Sequence, residues 1–396
     1  MRLLLVSDCC YPSTKSSAKL MHDLAAEFAR QGHDVTLLAI SNDPPMPTEI
    51  LAMEGYRLFR VCAGRTKGAG KVTRAVNEIL FPSIVWRAAG AWLRAYPHDM
   101  IIYYSPSIFF GPLVAKLKRL WKVPSYLILR DIFPDWAREA GVLSGGPAYR
   151  FFKWREQVNY DAADVVAVQS PANLAAFARY NPHRRDRMEV LFNWTDTALP
   201  PHGNHRQRLG LDGKIVFFYG GNIGVAQDMD NLLRLAVSLG DEPRAYFLLV
   251  GSGTEAARLA RAAETEGLRN FRVMQACGQQ EYLEMLQEFD IGLITLDRRL
   301  QSANVPGKLL GYLQCGMPTL ASVNPGNDLA DILRESGAGL VSINGEDALL
   351  HANARRLVQD DALRAQMGAA ARRLQARHFD VATAARQILS AFGHKA

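Results

Sequence analysis

The sequence predicts an α/β protein of two parallel-sheet domains, on three observations. Short apolar strands alternate with amphipathic helices along almost the whole chain. A polar, proline-marked stretch at 197–213 interrupts that alternation near its middle. The strands end in turns rich in glycine, serine or charge, where a parallel sheet presents its ligand loops. With 396 residues and 48% hydrophobic composition, the chain can bury a large core, and its length suggests two domains.

Leu3–Ser7 reads as the first strand, and the loop Asp8–Ser17 leads to a helix from about Ala18 to Gln31 with Leu20, Leu24, Ala25 and Phe28 on one face. Gly32-His33 closes that helix, and Asp34–Ile40 is the second strand. The unit is βαβ, so the sheet is parallel and the crossover right-handed. Ser13, Thr14, Lys15, Ser16 and Ser17 then lie on the ligand side, where hydroxyls donate to an anion or cap the helix. Met100–Tyr104 and Ser125–Leu129 are buried strands. The second runs into Arg130-Asp131, either a ligand-side charged pair or a structural ion pair. A helix from Ala148 to about Tyr160 and strands Val165–Gln169 and Glu189–Phe192 complete a first domain, 1–196.

After the expected linker comes a second alternating set, 197–380. Its strands are Ile215–Tyr219, Ala245–Val250, Phe271–Met274, Ile291–Thr295 and Thr319–Ala321. Its helices span 229–239, 254–266, 279–288 and 308–315. A last helix, about Val381–Phe392, is placed to return to the first domain. No solenoid repeat and no low-complexity tract is present.

Two stretches carry chemistry. In Val216–Gly224 an apolar run ends in Gly220, Gly221 and Gly224, and a helical period starts after Asp228, a residue suited to cap it. Such a turn gathers backbone N–H groups and a helix N-terminus where a phosphate is stabilised, and glycine permits close approach. A plain strand-to-helix turn is the alternative. Downstream, the loop 301–307 opens a helix with Leu309, Leu310 and Leu313 on one face, stopped at Gly316 and Pro318. That puts Lys308 in its first turn, where a cation opposes the helix dipole unless an anion binds; a solvated lysine is the bland reading. Gly251-Ser252-Gly253 is a further phosphate-compatible turn.

Cys9, Cys10, Cys62, Cys277 and Cys315 show no metal-ligand spacing and suit a reducing compartment. No apolar stretch is long enough for a signal peptide or a membrane span, so a cytosolic chain is expected. Residues 1–198 hold 25 Lys and Arg against 18 Asp and Glu, whereas 199–396 hold 21 of each, so the net +7 belongs to the first half. Arg57, Arg60, Arg65, Lys67, Lys71 and Arg74 precede Ile79, Leu80, Phe81, Trp86 and Trp92. Lys116, Lys118, Arg119, Trp121 and Lys122 repeat the theme. Basic residues beside an apolar face suit anionic lipid headgroups, and a solvated face is the alternative. Nucleic acid is disfavoured, since no recognition motif accompanies the charge.

Two Rossmann-like halves, a linker and anion-compatible turns resemble the GT-B glycosyltransferases, specifically family 4. The resemblance spans essentially the whole chain. It is carried by the opening strand, Arg30–Thr36, Gly220–Gly224, Asn270–Val273 and Phe289–Leu293. Arg130–Pro134 and Ser302–Lys308 are similar to the bacterial branch that builds O-antigen and capsule, including transferases of N-acetylfucosamine-type sugars. The resemblance implies two Rossmann-like domains facing a cleft and retaining transfer from a UDP-sugar to a polyprenyl-diphosphate-linked saccharide. It implies no required metal or cofactor, and work at the cytoplasmic face of the inner membrane. By position, Gly220, Gly221, Asn222, Gly224 and Gln227 would meet the diphosphate, with Gly251 and Gly253 beside them. Met274 and Gln275 would hold the base. Ser302, Asn304, Val305, Pro306, Gly307 and Lys308 would meet the sugar and phosphates. Ser16 and Ser17 stand where a glycine pair faces the donor, and Arg130 and Asp131 lie on the acceptor side.

The chain departs from the pattern at four places. Ala303 and Gly311 replace two glutamates that many members carry, and Asn222 and Gln227 replace an arginine and a lysine. Lys308 is left as the cation expected to stabilise the leaving diphosphate, with Arg130 and Asp131 the other catalytic candidates. A nucleotide-sugar 2-epimerase of the same fold would need acid/base groups, for which only Asp131, Asp135 and His22 can be nominated. An NAD-dependent oxidoreductase lacks the acidic residue expected about twenty positions after a glycine turn. A non-catalytic scaffold is the third alternative.

Overall fold

The computed structural model describes residues 1–393 apart from 12, 14–15, 42–46, 64–70, 106, 136–137, 139–142 and 301–304, with the backbone alone over 71–76. The chain forms two units, Met1–Phe192 with Val381–Ala396, and Asn193–Asp380.

In the first unit, β1 (Arg2–Ser7), α1 (Ser16–Arg30) and β2 (Asp34–Ser41) form the expected βαβ start. Then come β3 (Thr48–Ala52), β4 (Arg57–Cys62), α2 (Lys71–Ala95), β5 (Met100–Ser105), α3 (Gly111–Trp121), β6 (Ser125–Leu129), α4 (Pro147–Asp161), β7 (Val165–Val168), α5 (Pro171–Tyr180) and β8 (Met188–Val190). The eight strands lie in the order β3-β4-β2-β1-β5-β6-β7-β8, all parallel except the β3–β4 pair. Central strands read as unbroken apolar runs because helices cover both faces; Leu3, Leu4, Leu5, Ile101, Ile102, Leu127 and Ile128 are all fully buried.

β4 of the edge hairpin β3–β4 opens the basic stretch, where the sequence predicts a charged surface. Leu58, Phe59 and Val61 are buried while Arg57 pairs with Asp34 and Arg60 with Glu49 at 2.9 Å. Of the apolar residues after it, Phe81 is buried with Val85, Ala89 and Leu93 of α2, whereas Ile79, Trp86 and Trp92 are half-buried and Leu80 is exposed. Arg65 and Lys67 lie outside the described residues. In the second basic group, Lys118 pairs with Asp164 at 2.8 Å and Trp121 donates its indole N–H to Leu93 O. Both basic clusters are therefore partly structural.

The second unit begins at Asn193, so the polar stretch 197–213 belongs to it. That stretch carries the short α6 (His205–Arg208) and is docked: His205 is buried, and Arg206 donates to Glu288 O and Asp290 Oδ2. β9 (Ile215–Asn222), α7 (Met229–Ser238), β10 (Ala245–Ser252), α8 (Ala256–Thr265), β11 (Phe271–Gln275), α9 (Gln279–Glu288) and β12 (Ile291–Thr295) follow. α10 (Lys308–Cys315), β13 (Thr319–Val323), α11 (Asp328–Ser336), β14 (Gly339–Ile343), α12 (Asp347–Gln359) and α13 (Asp361–Leu374) complete it. The six-stranded sheet has the order β11-β10-β9-β12-β13-β14, the doubly wound dinucleotide-binding order. Phe217 and Phe247 stack at 4.7 Å in its core.

A last helix, α14 (Val381–Ser390), is part of the first unit. It packs on α1 through an apolar face of Ala384, Ala385, Ile388 and Leu389, and Gln387 Nε2 donates to Val190 O.

Candidate active site

The winding of the second sheet reverses between β9 and β12, and doubly wound sheets take ligands outside the carboxyl ends at that point. Three strand ends are in register there: Gly221 of β9 partners Gly251 of β10, which partners Gln275 of β11. β9 runs on to Asn222, so Gly220 and Gly221 belong to the strand rather than to the turn. Gly221 has φ +121°, a conformation that disfavours side chains, and a Cβ on it would come within 3.9 Å of Lys308 Cε.

Gly251 and Gly253 have a different reason. A Cβ at Gly251 would sit 1.8 Å from Gly221 O, and one at Gly253 would sit 2.2 Å from Ile223 O. These glycines let two strand-end loops touch, and Ile223 N on Ser252 O with Glu255 N on Ile223 O tie them together. The predicted phosphate-compatible turn at Gly251–Gly253 is thus first a packing device. Gly224 is buried, and a Cβ there would lie 2.8 Å from Asn222 Nδ2. Asn222 Nδ2 also donates to Gln227 Oε1 at 2.9 Å.

Asp228 does not cap α7. A 3-10 turn, Val225–Gln227, intervenes; Asp228 is left-handed with φ 45°, and its carboxylate accepts from Asn344 Nδ2 instead. The capping expectation fails because the extra turn rotates the residue out of the extended conformation that a cap needs.

Lys308 opens α10, as its position before the Leu309–Leu313 face predicted. Its ammonium lies 3.9 Å from the centre of the Tyr219 ring, and the Tyr219 hydroxyl donates to Asn222 O. The side chain is half-buried and has no ion pair among the described residues. Desolvation with no anion to offset it pulls the Lys308 pKa from 10.5 down to about 7. An anion bound nearby would offset both this desolvation and the opposing dipole of the helix N-terminus. Val305 is buried, Pro306 half-buried and Gly307 exposed, with Pro306 O accepting from Leu309 N. Met274 is half-buried and Gln275 exposed at the end of β11. Ser302 and Asn304 lie outside the described residues.

The sequence reading missed two tyrosines. Tyr219 is the platform under Lys308, hidden in the sequence as one more apolar strand residue. Tyr282 of α9 fills the space between two glycines: a Cβ at Gly220 would meet its ring at 2.3 Å, and one at Gly311 would lie 3.7 Å from its hydroxyl. A Cβ at Gly311 would also be 2.6 Å from Leu286 Cδ1. The missing glutamate at 311 is therefore matched by a packed wall that leaves no room for one.

In the first unit, Ser16 is exposed at the start of α1, and Ser17 Oγ lies 3.1 Å from Cys9 Sγ. Arg130 and Asp131 follow β6 as predicted. Arg130 is buried, its guanidinium donates to Leu129 O and Phe192 O, and burial lowers its pKa. Burial and then the nearby Asp8 raise the carboxyl pKa of Asp131, against the pull of Arg130. Arg130 is thus held by the carbonyls of its own domain, and Asp131 is the more accessible of the two. No group of three or more His, Cys, Asp or Glu side chains suited to a metal gathers among the described residues.

Two doubly wound, mostly parallel-sheet units are the architecture of the GT-B class. Residues 17–194 match the glycosyl transferase 4-like domain, and residues 202–374 match glycosyl transferases group 1. The chain is a GT-B glycosyltransferase and belongs to this family 4/group 1 lineage. It is 26% identical over 341 residues to the colanic acid biosynthesis glycosyl transferase WcaI of Escherichia coli K12, covering 80% of this chain and 82% of that one. Sucrose-phosphate synthase from Thermosynechococcus elongatus has the same fold, with a TM-score of 0.72 at 17% identity over 98% of this chain and 97% of the other. So does Anabaena HepE in complex with UDP, with a TM-score of 0.67 at 15% identity over 98% and 99% of the two chains.

Proposed function

We propose that this glycosyltransferase moves an N-acetylated amino sugar from a UDP-sugar to a polyprenyl-diphosphate-linked saccharide, with retention at the anomeric carbon, in building a bacterial surface polysaccharide. The observation that carries the reading is Lys308, a desolvated cation without an anion at the switch point of the second sheet. The UDP in complex with Anabaena HepE and the colanic acid biosynthesis in the name of the Escherichia coli relative support the donor and the pathway class.

On this reading the second unit binds the donor. Its diphosphate lies beside Gly221 and Lys308, and the base lies toward Met274 and Gln275. The bond from the anomeric carbon to the phosphate oxygen breaks as an acceptor hydroxyl oxygen bonds to that carbon, and the hydroxyl proton passes to the departing diphosphate. Negative charge gathers on the diphosphate as this happens. Lys308 becomes fully protonated when the anion arrives and stabilises that charge, an effect commonly worth a few kcal/mol. No protein nucleophile and no metal is required. The enzyme works at the cytoplasmic face of the inner membrane, where a lipid-linked acceptor is found.

The test is a donor screen with UDP- and GDP-sugars, with and without a polyprenyl-diphosphate-linked saccharide, following nucleotide release and product in the presence and absence of a chelator. One UDP-N-acetylsugar should be consumed only when the lipid acceptor is present, and equally with chelator. New sugar formed without acceptor would establish the epimerase instead, and binding without turnover would establish a scaffold.

A further inference from the structure

Aromatic rings gather in the first unit at the carboxyl ends of β5 and β6. Phe109 follows β5 and Phe133 follows β6, and both meet Phe152 of α4 edge to face, with ring centres 6.4 and 5.2 Å away. Phe151 lies 5.5 Å from Phe152 and 5.9 Å from Trp154, which carries the chain of rings to the surface. Phe109 is buried, as core packing explains, but Phe151 is 37% and Trp154 56% exposed. Neighbouring large aromatics left in water on one helix face mark a site for an apolar partner.

Arg155 sits against these rings, its guanidinium carbon 5.6 Å from the centre of Phe109 and 5.4 Å from that of Trp154. The acids around it are taken. Lys153 pairs with Asp135 at 2.9 Å and with Glu156 at 2.5 Å; Asp135 also accepts from Tyr149, and Glu156 from Tyr160. Arg155 itself has no ion pair among the described residues, and its Nε is buried without a hydrogen bond. The rings fix the guanidinium in place and leave its charge unanswered. A planar fork of this kind suits the paired oxygens of a diphosphate.

We propose that this cluster holds the polyprenyl diphosphate end of the acceptor, with the diphosphate on Arg155 and the first isoprene units over Phe151 and Trp154. The proposal rests on the lipid-linked acceptor named above and assigns residues to it. A bilayer surface is the weaker occupant, because headgroup binding draws on many spread cations and here one arginine is set among rings.

Farnesyl diphosphate serves as the probe, with farnesol and inorganic diphosphate as half-ligands and phosphatidylglycerol vesicles as the bilayer. Binding is measured by calorimetry to the full chain and to Arg155→Gln and Phe151→Ser/Trp154→Ser, all exposed or half-buried positions. Wild type should bind farnesyl diphosphate more tightly than either half-ligand, and each variant should bind it about tenfold more weakly. Equal affinity across the three proteins, no binding by wild type, or losses confined to vesicles would each overturn the proposal. The UDP-induced thermal shift, read on the same samples, should be unchanged in the variants. Its absence from wild type would instead refute the donor reading.

Discussion

Replacing Lys308 with methionine should stabilise the unliganded protein and nearly abolish transfer. Desolvation lowers the Lys308 pKa from 10.5 to about 7, so below pH 7 the fold carries a cost of at most about 5 kcal/mol for keeping the ammonium charged. The half-buried side chain still reaches some water, which reduces that cost. The Tyr219 ring returns about 1 kcal/mol to the lysine. Methionine keeps the volume and loses the charge, so the expected gain is about 1–3 kcal/mol. In a unit of this size that raises the midpoint by roughly 3–10 °C. The sign with pH follows from linkage: the unfolded chain binds the proton more tightly than the fold, so wild-type stability climbs as pH rises from about 7 toward 10.5. The advantage of methionine is therefore largest in mild acid and shrinks in alkali. The assay is the thermal transition that UDP shifts, followed at about pH 6.5 and about pH 9.5, alongside kcat/KM for transfer, which should fall about 100- to 1,000-fold. A variant no more stable than wild type at the lower pH, a gap that ignores pH, or near-normal transfer would refute the reasoning.

Other substitutions test the geometry around that lysine and the rest of the fold. Gly251→Ala should lower the melting midpoint by many degrees and remove the UDP response, because its Cβ would lie 1.8 Å from Gly221 O and force two paired strands apart. Gly311→Glu should cost about 1–3 kcal/mol in denaturant unfolding and leave UDP affinity no better, since its Cβ would lie 2.6 Å from Leu286 Cδ1. His98 is buried, and desolvation holds its pKa near 4 against the usual 6.5. Its contribution is whole above about pH 6.5 and declines by up to about 3 kcal/mol as pH falls toward 4, so His98→Gln should flatten the acid limb of a stability profile.

Much of this architecture could be read from periodicity. The βαβ start, the helix at 279–288 and Lys308 at the head of 308–315 all follow from apolar spacing and from stop residues such as Gly316. The β3–β4 hairpin was hidden because Arg57 and Arg60 alternate with Leu58, Phe59 and Val61, and the charge masks the strand pattern. Their acids, Asp34 and Glu49, are distant in sequence, so the pairing that neutralises them leaves no local signal. The docked segment 197–213 was hidden for the same reason, since Arg206 is satisfied by Glu288 and Asp290. Within the site, glycines could be located but not explained. Only the structure separates Gly221, which faces Lys308, from Gly251, which makes room for a neighbouring strand. Tyr219 and Tyr282 carry no motif at all; Tyr219 acts through the lysine over its ring, and Tyr282 fills the space that Gly220 and Gly311 leave beside it.

UDP binding measured by calorimetry at about pH 8, in two buffers of different ionisation enthalpy, tests the place of Lys308 most directly. An ammonium with a pKa near 7 in the free protein must recover its proton when a diphosphate arrives. Wild type should take up close to one proton per UDP bound, affinity should fall as pH rises above 7, and Lys308→Met should lose both the uptake and most of the affinity. UDP binding that takes up no proton and survives the substitution would show that the diphosphate does not sit at Lys308.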